Sequence, residues 1–256
     1  MRRLVATASL AAAAAAGATG PLGATGSTEA RGGGLTAAGA PRVQVMVVGR
    51  TRTLVAPKLV TARARTVTVG RRRRCAVAAA TALSALEGAR RAGGPAYRLR
   101  DYGMCSRRAQ DAASLFVFQI AGDANRGRDG WVYKIGRRVP TAGAADPDGT
   151  RLRAGDRLLW FFCRMQRSGG CQRTLEVAVP ARVSPGAPVR ALVRASADDG
   201  RVVATPGATV TLGAAAGTTG ADGAATLTAP AAPGRYQVGA QRAGLIPAFP
   251  VEVRVG

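Results

Sequence analysis

The sequence predicts a β-rich fold in two domains. The first domain is expected to be α+β, with mostly antiparallel strands and one main helix, and the second to be an all-β sandwich. Two observations support this. Apolar and polar residues alternate over many short segments, which is typical of half-buried strands. In addition, 34 glycines and 14 prolines punctuate these segments as turns. The domains are expected to span residues 42–179 and 183–256.

The N-terminus has the features of an export signal. Two arginines at positions 2 and 3 precede an apolar run from Leu4 to Ala16, followed by small residues. Residues 1–30 are therefore predicted to be a signal peptide, with cleavage near Ala18 or near Ala30, and residues 31–41 a flexible linker. We expect an extracytoplasmic protein, secreted or associated with the cell surface, without a later membrane span.

Patterns of apolar residues predict one helix and seven strands in the first domain. One helix is expected over 75–91, where Ala and Leu recur at helical spacing before a Gly-Gly-Pro stop. Strands are expected at 42–47, 53–60, 66–69, 115–120, 130–137, 155–163 and 174–179. The turn at 168–170 predicts that the last two of these strands form a hairpin.

Pro180 to Pro188 form a break in composition, which we take as the domain boundary. Beyond it, strands are expected near 189–194, 208–212, 224–228, 234–242 and 248–253. The turns between them are expected at Asp-Gly and Pro-Gly pairs. This spacing is typical of a β-sandwich.

Four cysteines follow the predicted signal peptide, and their even number in an exported chain predicts two disulfides. Three pairings exist in principle. Proximity in the sequence favours Cys75–Cys105 and Cys163–Cys171. A metal site is not expected, because no Cys-x-x-Cys pair and no histidine are present.

The chain is strongly basic, with a formal net charge of +23 and no histidine. Without imidazole there is no Ser-His-Asp triad and no Cys-His dyad. The charge predicts attraction to an anionic envelope polymer or lipid, although a GC-rich genome also explains an excess of arginine. Arg71–Arg74 is either an anion-binding cluster or a solvated turn. Nucleic acid is not the expected partner, because the arginines are scattered and the aromatics lie in apolar runs.

Residues 43–163 resemble the transcobalamin-like C-terminal domain family. The features that carry the resemblance, in order, are Thr-Ala-Leu-Ser-Ala-Leu-Glu at 81–87, a strand ending at Gly122, Gly-Trp-Val-Tyr-Lys-Ile-Gly at 130–136, and Gly-Asp-Arg-Leu-Leu-Trp at 155–160. This family usually has Asn where Ile135 stands. The resemblance implies an exported protein that binds a corrinoid or another small ligand.

Three aromatic residues are the expected ligand contacts: Trp131, Tyr133 and Trp160. Aromatic faces cover flat ligands well, so these side chains are candidates for a binding platform. Packing in the core is the alternative interpretation for all three.

Residues 183–256 resemble bacterial immunoglobulin-like and carboxypeptidase-regulatory-like modules. Thr-Thr-Gly-Ala-Asp-Gly at 218–223 and Pro-Gly-Arg-Tyr-Gln-Val at 233–238 carry this resemblance. Such modules usually act as stalks or spacers.

Together these features predict an exported, non-catalytic binding protein for a corrinoid or another small ligand. The alternative is a structural or adhesive envelope protein attached through its basic charge. No cofactor is expected beyond a corrinoid as ligand. Hydrolysis by a carboxylate pair has little support, because nothing in the sequence singles out two of the 14 acidic residues.

Overall fold

The computed structural model describes residues 39–256, which form one compact unit. The predicted signal peptide and most of the predicted linker lie outside the described residues. The described part contains eighteen strands, one α-helix and one short 3-10 helix. The prediction of a β-rich fold with one main helix is thus confirmed, whereas the division into two domains stays a prediction.

A four-stranded sheet forms the centre of the N-terminal half. Its strands, in spatial order, are β2 (Thr53–Thr61), β1 (Arg42–Val48), β9 (Arg157–Cys163) and β8 (Gly130–Ile135). β1 and β9 run parallel, and the other neighbours are antiparallel. β2 lies at the edge, as Pro57 predicts, because proline cannot donate a hydrogen bond to a second neighbour.

The helix α1 (Ala82–Arg91) is shorter than the sequence predicts. Cys75 lies in a strand opposite Val67, and Ala80 has a φ of 60°, so the helix cannot extend back to residue 75. The helix begins after Thr81, whose side chain accepts a hydrogen bond from the backbone N–H of Ser84, while Ser84 Oγ accepts one from the N–H of Thr81. This reciprocal cap fixes the start of the helix.

Two small sheets complete the N-terminal half. They consist of β3 (Arg65–Val69) with β4 (Arg73–Val77), and of β5 (Tyr97–Asp101) with β6 (Leu115–Ile120) and β7 (Asp123–Ala124). The 3-10 helix spans Ala109–Ala112. Neither β5 nor β7 is predicted from the sequence.

The two predicted disulfides are confirmed. Cys75 of β4 is bonded to Cys105, and their Cα atoms are 5.5 Å apart. Cys163, at the end of β9, is bonded to Cys171, with a Cα separation of 5.1 Å. Both bonds fit an exported protein.

Two further sheets face each other in the C-terminal half. One contains β10 (Thr174–Ala178), β12 (Pro188–Ser196), β13 (Val202–Ala204) and β16 (Ala224–Thr228). The other contains β11 (Arg182–Val183), β18 (Val251–Val255), β17 (Gly234–Gln241), β14 (Thr209–Leu212) and β15 (Ala215–Thr218). Apolar side chains from both sheets form one buried cluster.

The predicted hairpin across residues 168–170 is wrong. β9 already has a neighbour on each side, β1 and β8, so it has no free edge for β10. β10 pairs with β12 instead, although it precedes the predicted domain boundary. The Cys163–Cys171 disulfide therefore closes a loop between sheets instead of pinning a hairpin.

The central sheet is covered on both faces. Along β9, Leu158, Trp160 and Phe162 belong to the main core, whereas Leu159 and Phe161 belong to a separate cluster on the opposite face. Ile246 and Phe249 of the C-terminal half complete that second cluster. Burial on both faces explains why β9 is apolar at consecutive positions instead of alternating.

Candidate functional site

A cleft lined by four arginines is the most distinctive concave site of the described chain. It has a volume of about 610 Å³. Its walls come from the β1–β2 turn, from the segment around the Cys163–Cys171 disulfide and from the loop after β17. The four arginines on these walls are Arg50, Arg52, Arg164 and Arg242. We call this site the arginine cleft.

Asp123 holds the β1–β2 turn against the rest of the protein. Its Oδ2 accepts a hydrogen bond of 2.9 Å from the backbone N–H of Arg50. A Cβ at Gly49 would lie 2.6 Å from the same oxygen, so a side chain there would force the Asp123 carboxylate to move. The turn therefore has a fixed position at the mouth of the cleft.

Arg50 is the most constrained of the four arginines. Its Nη2 donates to the backbone oxygen of Ala124 at 2.8 Å, and its guanidinium carbon lies 4.3 Å from the centre of the Phe162 ring. Oδ1 of Asp123 lies 3.9 Å from Nε of Arg50, so the carboxylate neutralises part of the charge of Arg50. Arg50 therefore shapes the cleft more than it contributes free charge.

Gln172 positions the segment that carries Arg164. The Oε1 of Gln172 accepts from the backbone N–H of Arg164 at 2.8 Å, and its Nε2 donates to the backbone oxygen of Phe162 at 2.8 Å. The guanidinium of Arg164 donates to the backbone oxygen of Arg50, which joins two walls of the cleft. The disulfide beside Gln172 restrains the same segment.

The arginine cleft has a net positive charge. No Asp or Glu lies among its lining residues, and within residues 39–256 the side chains of Arg52, Arg164 and Arg242 have no carboxylate within 4.0 Å. A neighbouring depression contains Asp198 and Asp199, but these acids pair with Lys134 and Arg201. The cleft can thus attract phosphate or carboxylate groups.

A second cleft, of about 410 Å³, has mostly apolar walls. Leu159, Val177, Leu192 and Phe249 contribute to these walls. Of the acidic residues in the described chain, only Glu176 lines the cleft, and its carboxylate pairs with Arg137 at 2.8 Å. This cleft can hold apolar parts of a ligand.

The three predicted ligand contacts lie in the core. The exposed fractions are 4% for Trp131, 8% for Tyr133 and 1% for Trp160. Trp131 lies edge-on to Phe162 with ring centres 5.7 Å apart, and Tyr133 lies 5.3 Å from Trp160. The structure thus brings the three together, but against other core residues. Their role in binding stays a prediction.

The polar atoms of Trp131 and Tyr133 are used within the fold. The Nε1 of Trp131 donates to the backbone oxygen of Asp123 at 2.6 Å. The hydroxyl of Tyr133 donates to the backbone oxygen of Ala142 at 2.8 Å. Burial, with the nearby charge of Asp146, raises the pKa of Tyr133 to about 12. These hydrogen bonds attach β8 to β7 and to the loop that contains Ala142.

The described residues contain no group of three or more Cys, Asp or Glu side chains arranged to hold a metal ion. Within residues 39–256 no helix has the length and apolar character that crossing a membrane requires.

Sequence reasoning did not find the arginine cleft. Its arginines come from three loop segments, around residues 50–52, 164 and 242, which lie far apart in the chain and carry no motif. The general excess of arginine was the available signal, but it does not distinguish these positions from other arginines.

Comparison with known proteins assigns the chain to no family. No protein-family model matches the chain, and no curated protein matches it.

Proposed function

We propose that this is an exported, non-catalytic binding protein that takes an anionic ligand in the arginine cleft. The observation that carries the proposal is a set of three arginines around one cleft, Arg52, Arg164 and Arg242, that have no carboxylate partner within residues 39–256. A short segment of an anionic envelope polymer would fit this chemistry. The proposal therefore joins the expected binding role with the expected attachment through basic charge.

The walls of the cleft favour recognition over simple charge attraction. Arg164 is held by its backbone hydrogen bond to Gln172 and by the hydrogen bond from its guanidinium to Arg50, so little side-chain freedom is lost on binding. Arginine also binds phosphate and carboxylate groups through two parallel N–H donors. Both features favour a ligand with closely spaced anionic groups.

The test is calorimetric titration of the purified, oxidised protein with tripolyphosphate as the probe, at low and high salt. The double variant Arg52→Gln/Arg242→Gln is expected to bind at least about tenfold more weakly at low salt, because the loss of even one charge-assisted hydrogen bond costs about 1.5–3 kcal/mol of binding free energy.

A matched control separates the cleft from the overall charge. Arg182 and Arg254 are exposed, lie opposite each other on β11 and β18, and do not line the cleft. Arg182→Gln/Arg254→Gln removes the same charge and is expected to leave the affinity within about twofold. Equal losses in the two double variants would contradict the proposal and leave only non-specific attraction.

A corrinoid ligand is the second candidate function. The sequence resemblance to the transcobalamin-like C-terminal domain family favours it, and the apolar walls of the second cleft support it. Trp131, Tyr133 and Trp160 support it less, because their faces are covered by core residues. We also keep as proposals the transcobalamin-like domain over 42–179 and the immunoglobulin-like sandwich over 183–256.

Titration with cobalamin tests this second candidate. One-to-one binding that persists at high salt and weakens in Phe249→Ala would support it, because Phe249 lines the apolar cleft. Absence of measurable binding at either salt concentration would remove it.

A further inference from the structure

A group of exposed apolar side chains lies at one end of the β5–β6 sheet. Tyr102 is 70% exposed, Met104 81% and Phe116 38%. The rings of Tyr102 and Phe116 are in contact, with centres 6.0 Å apart. We call the segment Tyr102–Met104 the apolar tip. Grouped apolar side chains of this kind on a protein surface usually mark a binding site.

The loop that carries the apolar tip is held in place by Asp101. The side chain of Asp101 is only 3% exposed. Its carboxylate accepts hydrogen bonds from the backbone N–H groups of Gly103 and Cys105 at 3.1 and 3.0 Å, and from Ser114 Oγ at 2.7 Å. The Cys75–Cys105 disulfide ends the loop. Tyr102 and Met104 are therefore exposed on a fixed loop.

The same disulfide brings two runs of arginine beside the apolar tip. Arg71–Arg74 directly precedes Cys75, and Arg107–Arg108 follows Cys105 by two residues. The backbone N–H of Ala76 donates to Ser106 at 2.8 Å, which keeps the two segments side by side. All six arginines are exposed.

Most of the positive charge of these arginines is not neutralised by carboxylates of the described chain. Within the described chain, only Arg73 among the six forms an ion pair, with Asp101 at 2.7 Å. Five guanidinium groups beside the apolar tip are therefore available to an anionic partner.

We propose that the apolar tip and the two arginine runs form a docking surface for an anionic lipid membrane. Tyr102 and Met104 would enter the headgroup region, and the arginines would contact lipid phosphates. Apolar side chains surrounded by basic residues bind membranes in this way, through burial of apolar area and attraction to anionic lipids. The surface shares no residue with the arginine cleft, so this inference does not depend on the proposed function.

Single-stranded nucleic acid fits the same surface less well. Stacking of successive bases needs accessible, flat aromatic faces. The ring planes of Tyr102 and Phe116 are inclined by 54°, and Arg100 covers the neighbouring ring of Phe118 at 4.8 Å. Met104, the most exposed member, has no flat face. The geometry therefore favours insertion into lipid.

The test is co-sedimentation of the purified, oxidised protein with phosphatidylglycerol-containing vesicles and with phosphatidylcholine vesicles. It is run at low salt and at about 0.5 M salt, where charge attraction is strongly screened. Tyr102→Ser/Met104→Ser is expected to lower partitioning onto the anionic vesicles by about tenfold at the higher salt, because it removes apolar area and keeps the charge.

Leu59→Ser/Val203→Ser provides the matched control. These two residues are also exposed, at 51% and 42%, but lie on β2 and β13. Their replacement is expected to change partitioning by less than about twofold. The melting temperature of each variant would be measured to verify that it is folded.

Met104→Trp gives a direct signal of insertion. The two native tryptophans are already buried, so a shift of the emission to shorter wavelength on anionic vesicles would report the new residue. An unshifted emission of bound protein, or full binding by the Tyr102→Ser/Met104→Ser variant, would overturn the proposal. Binding of a single-stranded oligonucleotide that depends on Tyr102, without vesicle binding, would identify nucleic acid as the partner instead.

Discussion

The ammonium nitrogen of Lys134 lies 3.5 Å from Oδ1 of Asp198, which joins β8 of the central sheet to the turn after β12. Lys134 has no exposed surface, and its nitrogen also donates to the backbone oxygens of Ser196 and Ala197, at 3.2 and 3.1 Å. Burial lowers the pKa of Lys134, and the charge of Asp198 opposes that shift. The pair therefore connects the N-terminal and C-terminal halves.

Removing the two partners is expected to have unequal effects on stability. Asp198→Asn leaves a buried ammonium group without a counter-charge and should lower the free energy of unfolding by about 2–4 kcal/mol. Lys134→Met removes the buried charge itself, and the carboxylate of Asp198, 29% exposed, can be hydrated. That variant should lose about 1–2 kcal/mol, from unsatisfied oxygens.

Urea denaturation of the oxidised variants measures both effects. The double variant Lys134→Met/Asp198→Asn should resemble Lys134→Met alone, because no buried charge remains in either. If Asp198→Asn lowers the free energy of unfolding by no more than Lys134→Met does, the ion pair does not contribute to stability as argued.

Glu87 should make the protein sensitive to acid. It lies in α1 and is 3% exposed. Desolvation raises its pKa, but hydrogen bonds from Arg90, Arg91 and Tyr97 outweigh that effect and hold the pKa at about 2, below the usual 4.5. A carboxylate with a lowered pKa stabilises the fold above its unfolded pKa. This stabilisation is lost as the pH falls from 4.5 towards 2.

Glu87→Gln tests the acid sensitivity. The variant should be less stable than the wild type at pH 7, by about 1–2 kcal/mol once solvent screening of the exposed arginine partners is considered. The difference should shrink as the pH falls, because protonation removes the same charge in the wild type. A difference that does not change with pH would contradict this role of Glu87.

Much of the fold follows from local patterns in the sequence. β1, β3, β6 and five strands of the C-terminal half (β12, β14, β16, β17 and β18) lie close to their predicted positions, because alternation of apolar residues and turn glycines are local signals. The short strands β13 and β15 are not predicted from the sequence. The helix start was misplaced because the run of alanines from Ala78 to Ala80 looks helical, while the strand pairing of Cys75 with Val67 is a long-range contact.

The candidate sites were harder to predict, since they depend on distant segments. Trp131 and Tyr133 alternate along β8 as on an exposed platform, but their polar atoms bond to Asp123 in β7 and to Ala142 in a distant loop, contacts that no local pattern predicts. The arginine cleft combines turns from three parts of the chain. The apolar tip depends on a disulfide predicted from the sequence, but the exposure of Met104 follows from the loop around Asp101.

Two turn glycines should differ in their tolerance of a side chain. Gly207 and Gly223 both have positive φ, +68° and +76°. A Cβ at Gly207 meets nothing within 4 Å, whereas one at Gly223 would lie 2.5 Å from the backbone oxygen of Val193. Gly207→Ala should cost about 1 kcal/mol from the backbone conformation alone. Gly223→Ala should cost about 2–4 kcal/mol, because the strand must also move.

Thermal unfolding of both glycine variants provides the comparison. An equal loss of stability in the two variants would mean that the backbone near Val193 moves aside at no cost in free energy. The short distance between position 223 and the backbone oxygen of Val193 would then not constrain the residue at 223.

Trp131 and Tyr133 should prove to be structural residues. Tyr133→Phe removes the hydrogen bond to Ala142 and should lower the free energy of unfolding by about 1 kcal/mol. Trp131→Phe removes the bond to Asp123 and part of the contact with Phe162, and should cost about 1–3 kcal/mol. Neither variant should alter the affinity for tripolyphosphate, because neither residue lines the arginine cleft.

The same two variants also test the predicted aromatic binding site. Each is titrated with cobalamin and with tripolyphosphate, and each is unfolded with urea, so that binding and stability are read separately. A tenfold loss of cobalamin affinity at unchanged stability would place the ligand on β8, which requires the covering loops to open. Loss of stability with unchanged affinity would assign both side chains to the core, because a buried aromatic residue contributes through packing and not through contact with a ligand.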